Sequence, residues 1–344
     1  SARMARLNRT IVIAGGGLAG LSLAAGLRLR DVPVVVHEAG SYPRHRVCGE
    51  FISGVSSGTL QALGIEAAFC DALHHRTVTW FSAGARVHED VLPTPALGIS
   101  RHRLDERLRA RVIDLGGVVR EKSRIPRAPA EGQVWAAGRL PVKSAWLGLK
   151  AHFADLPMES DLEMHLGSNG YAGLAKIEDG QVNLCGLFRA DRSLKASGSS
   201  LLLAYLRAGG NHSLADRLAA ARVDEASFLG VAGFSLGRQP AEAGICAIGD
   251  AESMIPPFTG NGMSMAFQSA ECVLEPLEAW SNGGISWEST IDLVQSRLRK
   301  RFHRRLTAAG LLHPFLLRPL GRSLIGALGR SHTLPFRSLL SLVR

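Results

Sequence analysis

Two hydrophobic patterns divide the 344-residue chain and predict two kinds of sheet. Near the N-terminus, Thr10–Ala14 and Val32–His37 are short, continuous apolar runs of the kind that form buried parallel strands. Leu18–Leu29 between them is rich in leucine and alanine and predicts a helix. Gly244–Ile248 is a further short buried strand, and Met263–Trp280 after it is a long helix. These segments predict a nucleotide-binding domain that is built from both ends of the chain.

The middle of the chain contains strand-like runs that favour antiparallel pairing. They are predicted at Thr77–Phe81, Ala85–Leu92, Ser144–Phe153, Leu162–Leu166, Tyr171–Glu178, Gln181–Phe188 and Phe228–Phe234. Asp179–Gly180 between two of these runs predicts a hairpin turn. Lys122–Gly132 contains two prolines and is predicted to be a connection. The remaining helices are predicted over Ser57–Ala72, Arg103–Leu115, Ser199–Ala208 and His212–Ala221, and beyond Trp287.

Together the patterns predict an α/β protein with a second, β-rich domain inserted into the first. The first domain is predicted to comprise 4–72, 99–140 and 241–285, the inserted domain 73–98 and 141–240, and a basic helical C-terminal segment 286–344. Apolar residues make up 46% of the chain and charged residues 20%, which is ordinary for a globular protein with a sizeable core.

The net charge of +10 is concentrated at the C-terminus. The segment after Ser281 contains eleven Lys and Arg residues but only two acids, Glu288 and Asp292. Because the basic charge belongs to this segment, nucleic-acid binding by the protein as a whole is not expected. One interpretation of this segment is an amphipathic helix that lies on a membrane. The favoured interpretation is a helix packed on the nucleotide-binding domain, with solvated arginines and at most weak peripheral membrane contact. Little binding to anionic vesicles is therefore expected.

Other site classes find no support in the sequence. The five cysteines are odd in number and form no CxxC pair, which fits a reducing cytoplasm better than a disulfide framework or a zinc site. The histidines show no HExxH spacing, so no metal is expected. No uncharged apolar run is long enough to span a membrane and no signal peptide is visible, so a cytoplasmic location is expected.

The first chemical motif is Gly15-x-Gly17-x-x-Gly20, between the first predicted strand and helix. Gly15 permits a tight turn, Gly17 lets the backbone approach a pyrophosphate, and Gly20 lets the helix pack close to the strand. Glu38 ends the second predicted strand, where a carboxylate can bind ribose hydroxyls. The unit predicts dinucleotide binding; the alternative is a glycine turn followed by a surface glutamate.

The second motif begins with Gly249–Asp250 at the end of a predicted buried strand, where polar side chains usually serve a ligand. A rigid loop with Pro257 follows, and Gly260-Asn261-Gly262-Met263 opens the next helix. Backbone N–H groups at a helix N-terminus can stabilise developing negative charge. The alternative is a loop that only links the strand to the helix.

The two motifs resemble the first and last FAD fingerprints of flavoproteins with the para-hydroxybenzoate hydroxylase fold, which include aromatic hydroxylases, flavin halogenases and geranylgeranyl reductases. Tyr42–Glu50 is similar to the P-x-x-x-x-C-G-E segment of the geranylgeranyl reductase-like branch. Ile99–Leu108 is similar to the arginine-bearing helix beside the flavin, and Trp146–Phe153 to the first substrate-domain strand. The resemblance implies a Rossmann-like FAD-binding domain of the GR2 type with an inserted antiparallel substrate domain.

The resemblance also implies roles in binding FAD. The pyrophosphate would be held by Gly15, Gly17, Leu18, Ala19 and Gly20, and the adenosine ribose by Glu38 beside Ala39. Arg44 and Arg101 would lie near the phosphates or the ribityl chain, and Asp250 after Gly249 would form a hydrogen bond with the ribityl chain. The N1–C2=O edge of the isoalloxazine would be faced by Gly260, Asn261, Gly262 and Met263, with Cys48 and Pro257 near the ring. A helix N-terminus at that edge raises the electron affinity of the flavin. Cys48 could equally be a small buried apolar residue.

Two segments depart from the family pattern. Ala136-Ala137-Gly138-Arg139 stands where the superfamily usually has an Asp-Gly motif that is linked to flavin and reduced-nicotinamide handling, so NADPH or NADH as electron donor stays open. Gly170–Leu174 only partly matches the YxWxFP segment of the geranylgeranyl reductases, which weakens a reductase interpretation.

The function expected from the resemblance is monooxygenation. Reduced flavin and O2 would form a C4a-hydroperoxide that oxygenates a hydrophobic, aromatic or polyketide-like substrate. The first alternative is hydride transfer to a substrate C=C bond, as in the geranylgeranyl reductases. The alternative from another class is a non-enzymatic dinucleotide-binding or basic membrane-associated protein. No acid–base residue can be identified from the sequence.

Overall fold

The computed structural model describes residues 8–330 and residue 338. Its first sheet has five parallel strands. In spatial order they are β14 (Cys246–Ala247), β7 (Gln133–Trp135), β1 (Ile11–Ala14), β2 (Val34–His37) and β6 (Val118–Arg120). Ile11 and Ile13 of the central strand β1 share one face of the sheet and are fully buried, and Val12 on the opposite face is half-buried.

The second sheet has eight strands, antiparallel except where β4 runs parallel to β9. In spatial order they are β12 (Arg222–Ala232), β8 (Trp146–Ala154), β11 (Val182–Arg189), β10 (Gly170–Lys176), β9 (Leu162–Leu166), β4 (Leu73–Ser82), β5 (Ala85–Gly98) and β3 (Phe51–Ile52). A short ribbon pairs β13 (Gly237–Arg238) with β15 (Ser253–Met254).

Eight helices are described. They are α1 (Leu18–Arg28), α2 (Ser57–Leu63), α3 (Arg101–Asp114), α4 (Ser199–Ala208), α5 (His212–Ala220), α6 (Gly262–Ser281), α7 (Trp287–Leu317) and α8 (Pro319–Arg330). Helix α1 packs between α3 and α6 beside the first sheet. Helices α4 and α5 cover the face of the second sheet that carries Leu149, Ala151 and Phe153 of β8. Because side chains alternate along a strand, Lys150 and His152 point to the opposite face.

The predicted α/β fold class is confirmed, and the element boundaries differ from prediction for local reasons. The Asp179–Gly180 turn joins β10 to β11 as predicted, with both residues at positive φ. The helix predicted over 57–72 is interrupted, because Gly64 adopts the left-handed conformation that ends a helix. Helix α3 begins earlier than predicted, because the Ser100 hydroxyl accepts a hydrogen bond from the Arg103 N–H.

The strand predicted at 228–234 begins earlier, at Arg222, because β12 continues through an irregularity between Asp224 and Leu229. None of the described helices is long and apolar enough to cross a membrane. The boundaries of the two domains and of the C-terminal segment stay a prediction.

Candidate functional site

The glycine loop lies between β1 and α1, under the chain that follows β7. Gly15 has a φ of +109°, and a methyl group there would lie 2.5 Å from the carbonyl carbon of Ala136. At Gly17 the nearest atom to such a methyl group is the Arg101 Nη2 at 3.8 Å, so this position is open. No described side chain caps the start of α1 at Leu18. The first N–H groups of α1 are therefore available to an anion.

Glu38 is buried at the end of β2 and accepts hydrogen bonds from two backbone N–H groups. The Gly16 N–H lies 2.9 Å from one carboxylate oxygen, and the Gly40 N–H lies 2.8 Å from the other. Arg44 and Arg46 form ion pairs with the same carboxylate at 2.9 and 3.4 Å. Burial acts to raise the pKa of Glu38, but the Gly40 N–H and the two arginines outweigh it and hold the pKa below its usual value.

Tyr42 covers the glycine loop. Its hydroxyl donates a hydrogen bond of 2.5 Å to the Gly16 carbonyl oxygen. A methyl group on Gly16 would overlap this hydroxyl, so only glycine fits at that position. Gly16 and Tyr42 were absent from the predicted site. The run of three glycines at 15–17 was the one sequence feature that could have indicated Gly16.

Arg101 is brought to the glycine loop by the first turn of α3. Its guanidinium binds Asp105 through two hydrogen bonds of 2.7 and 2.9 Å, and Asp105 is fully buried. Arg46 also binds Asp105, at 2.8 Å, and this ties the 42–50 segment to α3. The Arg101 side chain contacts the Cys48 thiol as well. Burial raises the pKa of Cys48, although Arg101 opposes the shift.

The second motif meets the first at the end of β14. A methyl group on Gly249 would lie 2.9 Å from the Cβ of Ala19, so this turn packs against α1. Asp250 is exposed to water, but surrounding protein desolvates its carboxylate and raises its pKa, while Arg101 and Arg139 act in the opposite direction. Asp250 lines one pocket together with Gly249 and Gly262.

Helix α6 begins at the same cleft. Asn261 precedes it and is buried, and its amide donates to the Thr259 carbonyl at 3.0 Å. Gly260 has a φ of +65°, and a methyl group there would overlap the Phe51 ring. A methyl group on Gly262 would meet no atom within 4 Å, so space is open beside the first turn of α6.

The cleft suits an extended anionic cofactor such as FAD. Two helix N-termini border it, the Arg101 guanidinium lies beside Gly17, and Arg44 pairs with Glu38 at the end of β2. In the described part of the chain, the Nε atoms of Arg44 and Arg139 are buried without a hydrogen-bond partner, which a phosphate could satisfy. Arg139 occupies the segment that lacks the family's Asp, and its role was not predicted.

The structure brings several of the predicted site residues together. Arg101 lies beside Gly17 and contacts Cys48, Gly249 packs on Ala19, Arg44 pairs with Glu38, and Gly249, Asp250 and Gly262 line one pocket. Gly15, Leu18 and Gly20 belong to the same glycine loop and helix start as Gly17, and Pro257, Gly260, Asn261 and Met263 to the segment that leads into α6. Ala39 is exposed, whereas Leu18, Ala19 and Met263 are buried apolar residues. The cofactor roles of all these residues stay a prediction.

A buried polar cluster lies behind the cleft, between the 45–50 segment and β8. Glu50 and Lys150 are fully buried, with 3.5 Å between carboxylate and ammonium. The Glu50 carboxylate also accepts hydrogen bonds from the Arg101 backbone N–H at 3.0 Å and from the His152 Nε2–H at 2.5 Å. Lys150 donates to the Nδ1 of His45 at 3.2 Å. Glu50 and Lys150 belong to two separate motifs of the sequence, and no local pattern pairs them.

The histidines of this cluster lie beside a lysine, which disfavours the binding of a metal ion. His45, His152 and Asp224 each have a ligand atom within 4.8 Å of the others. The Lys150 ammonium beside His45 disfavours a second cation at that position. Burial, together with Lys150, lowers the pKa of His45 to about 4.

An aromatic cavity lies on the other side of the Pro257–Gly260 loop. Phe258 of this loop stacks on His313 of α7 with 5.9 Å between ring centroids, and Tyr171 of β10 stands edge-on to both rings. The ring centroids of Trp146 and His313 are 5.4 Å apart. The cavity has a volume of about 330 Å³ and is lined by Trp146, Arg189, His313, Pro314, Leu317 and Arg318.

A polar pair is buried in the aromatic wall. The Tyr171 hydroxyl lies 3.4 Å from the Nε2 of His313. Burial raises the pKa of Tyr171 and lowers that of His313 to about 4, so both groups are neutral near pH 7. Neither residue was predicted as a site residue.

Solved structures with this fold support the predicted resemblance. p-Nitrophenol 4-monooxygenase PnpA from Pseudomonas putida aligns with a TM-score of 0.75 at 14% identity, over 97% of each chain. P. aeruginosa PqsL in complex with 2-aminobenzoylacetate aligns with a TM-score of 0.72 at 16% identity, over 92% of this chain and 99% of PqsL. A geranylgeranyl bacteriochlorophyll reductase-like protein from Thermoplasma acidophilum gives 0.74 at 16% identity, over 97% and 96%. The likeness confirms the fold.

Sequence comparison is less extensive. The chain is 27% identical to the menaquinone reductase of Mycobacterium tuberculosis over 110 residues, which are 31% of this chain. The matched segment spans 27% of the length of that curated relative. No protein-family model matches the chain.

Proposed function

We propose that the protein is an FAD-dependent monooxygenase that acts on a hydrophobic, aromatic or polyketide-like molecule in the aromatic cavity. The observation that carries this proposal is the convergence of two helix N-termini on one cleft, with Arg101 beside Gly17, joined to that cavity through the packing of Phe258 on His313. Proteins with the same fold include the monooxygenase PnpA and the flavin-dependent brominase Bmp2. O2 would be the co-substrate.

The chain's own residues would bind the two halves of the cofactor separately. Gly15, Gly17 and the first turn of α1 would hold the pyrophosphate, with Arg44, Arg101 and Arg139 neutralising its charge. To bind the ribose hydroxyls, the Glu38 carboxylate would give up one of its present contacts with a backbone N–H group or an arginine. The first turn of α6 would face the part of the ring that becomes negative on reduction. Bound FAD would supply the two-electron chemistry and the reaction with O2.

The cavity supports an aromatic substrate. Trp146 and His313 line the cavity with rings that suit offset or edge-on aromatic packing, and Phe258 and Tyr171 pack on His313 behind this surface. His313 lies 3.4 Å from the Tyr171 hydroxyl and would donate or accept a hydrogen bond that orients a polar substituent. PqsL, which shares the fold, was crystallised with the aromatic ligand 2-aminobenzoylacetate.

The first prediction concerns Gly17→Ala. The added methyl group fits the protein without cofactor but occupies the open face of the loop, so we expect the affinity for FAD to fall about tenfold or more, which is ~1.4 kcal/mol. Stability without cofactor is expected to change by less than about 0.5 kcal/mol. FAD titration followed by flavin fluorescence and thermal unfolding of the apoprotein measure the two effects.

Gly58→Ala is the matched control for this variant. It adds a methyl group whose nearest neighbour is the Ser56 hydroxyl at 3.7 Å, in α2 and away from the cleft. It is expected to leave FAD affinity unchanged. Equal FAD affinity in wild type and Gly17→Ala would place the pyrophosphate elsewhere. Purified protein that lacks flavin absorbance and does not bind added FAD would refute the enzyme proposal.

A second prediction separates oxygenation from the alternative, flavin-dependent reduction of a C=C bond, which is favoured by the partial similarity to menaquinone reductases. With reduced flavin and an aromatic substrate, we expect O2 consumption together with a product that carries one added oxygen atom. Mass spectrometry with ¹⁸O2 detects that atom. Anaerobic turnover that reduces an alkene would contradict oxygenation and support the reductase. Comparing NADPH with NADH as donor in the same assay addresses how the flavin is reduced.

A further inference from the structure

We propose that the exposed apolar residues at the end of α7 and on α8 dock on an anionic membrane surface, from which the aromatic cavity receives its substrate. This inference rests on the proposed function for the identity of the cavity as a substrate site, but the docking itself does not. It differs from the sequence-based expectation of solvated arginines alone.

Helix α7 changes its surroundings along its length. Its first half packs on α6 through Val294, Leu298 and Phe302, which are buried as the favoured sequence interpretation expected. Its second half buries His313 and Leu316 toward the second sheet. The opposite side of that half has no covering element among the described residues.

Four large apolar side chains, which we call the apolar ridge, are exposed in the second half of α7 and at the start of α8. Leu311 is 74% exposed and Phe315 37%, and on α8 Leu320 is 85% exposed and Leu324 48%. Each pair has i, i+4 spacing, so each lies on one face of its helix. These are four of the twelve exposed large hydrophobic residues of the described chain, within 14 positions. Such clustering marks an interaction surface, whereas scattered exposed leucines do not.

Charge identifies the partner as an anionic surface. No acidic residue follows Asp292 in the sequence. Lys300 and Arg304 are exposed and share a face of α7 with Leu311 and Phe315, because their spacing is helical. Within residues 8–330, neither cation has an ion-pair partner. Basic side chains beside an apolar face are typical of helices that lie in the interface of an anionic bilayer.

The same charge argues against a second copy of the chain as the partner. Two copies joined through the ridge would bring the cations of their α7 helices together, and neither α7 nor α8 carries an acid after Asp292 to compensate them. An anionic bilayer offers both the apolar layer for the leucines and the negative headgroups for Lys300 and Arg304.

The ridge borders the cavity. Pro314, Leu317 and Arg318 line the cavity and lie between Leu311 and Leu320 along the chain. A substrate dissolved in the membrane would therefore enter beside the docked helices with little exposure to water. The inference thus narrows the substrate class to apolar molecules that partition into membranes.

Flotation of the full-length protein with vesicles tests the docking. We expect binding to mixed phosphatidylcholine–phosphatidylglycerol vesicles that weakens with added salt, and much weaker binding to phosphatidylcholine alone. Leu320→Ser/Leu324→Ser is expected to lower the partition coefficient about tenfold or more. Lys300→Glu/Arg304→Glu is expected to remove the preference for phosphatidylglycerol. Leu293→Ser, which changes a leucine of α7 that is 42% exposed outside the ridge, is the control and should bind like wild type.

Several results would overturn the docking surface. They are equal binding to both vesicle types, the same partition for Leu320→Ser/Leu324→Ser as for Leu293→Ser, or a wild-type dimer that dissociates in Leu320→Ser/Leu324→Ser. The assay uses no substrate, so it is independent of catalysis. Flavin-free protein that still binds vesicles would contradict the proposed function alone, whereas flavin-bound protein that ignores vesicles would contradict the docking alone.

Discussion

A Gly15→Ala variant is expected to lose about 3–5 kcal/mol of the free energy of unfolding and to bind no measurable FAD. The methyl group would lie 2.5 Å from the carbonyl carbon and oxygen of Ala136 and from the Cα of Ala137. All three are backbone atoms, so no side-chain rotation relieves the overlap. The φ of +109° adds strain for any residue with a Cβ. Relief requires that the chain after β7 move away from the glycine loop, which also opens the cleft.

The variant Gly180→Ala distinguishes the cost of steric overlap from the cost of backbone strain at positive φ. Gly180 also has a positive φ, of +69°, but a methyl group there meets nothing within 4 Å. This variant should lose only about 1–2 kcal/mol and bind FAD normally. Urea unfolding followed by circular dichroism gives the free energies, and fluorescence titration gives the affinities. Gly15→Ala protein with the stability of Gly180→Ala and normal FAD binding would contradict the close approach of Ala136.

A Lys150→Met variant is expected to lose about 3–5 kcal/mol of the free energy of unfolding, because it leaves the buried Glu50 carboxyl group without its ion-pair partner. Both side chains are fully buried, 3.5 Å apart. Burial lowers the pKa of Lys150, and Glu50 opposes this shift, so the ammonium depends on the carboxylate for its charge. Because Glu50 also accepts the Arg101 N–H, we expect the loss to reach the cleft and to weaken FAD binding as well.

The double variant Glu50→Gln/Lys150→Met tests the pairing directly. With neither charge present, its loss of stability is expected to be smaller than the sum of the two single losses. Lys176→Met is the matched control, since Lys176 pairs with Asp161 at 3.2 Å but its side chain is 41% exposed. Lys176→Met should lose no more than about 1 kcal/mol of the free energy of unfolding. Strict additivity of the two single losses at Glu50 and Lys150 would show that the buried pair does not interact as described.

The cleft and the cavity respond to different changes. Gly15 and Gly17 act through backbone space, whereas Glu50 and Lys150 act through charge that must stay paired out of water. Phe258 belongs to the loop that precedes α6 and also packs on His313 of the cavity. The cofactor cleft and the proposed substrate cavity are therefore joined by the Pro257–Gly260 loop, and a change in this loop is expected to affect both.

The sequence by itself determined the βαβ unit, the glycine loop, the acid at the end of β2 and the start of α6. These features follow from local rules, because apolar periodicity sets strand and helix, and glycine is required where the backbone turns sharply. The hairpin at Asp179–Gly180 was predictable for the same reason. The family resemblance then supplied the order of the motifs and the fold, which the solved structures confirm.

Only the tertiary structure decided which distant side chains meet. Glu50 and His152 are 102 residues apart and Tyr171 and His313 are 142 apart, yet each pair is in contact. Such contacts depend on strand order and on the path of α7, which no local pattern encodes. The exposure of the leucines of α8 was also decided by the tertiary structure. This helix has apolar residues on more than one side, and only its packing against the rest of the protein shows which side is buried. The sequence therefore predicted a nucleotide cleft, and the structure added the buried ion pair, the aromatic cavity and the ridge beside it.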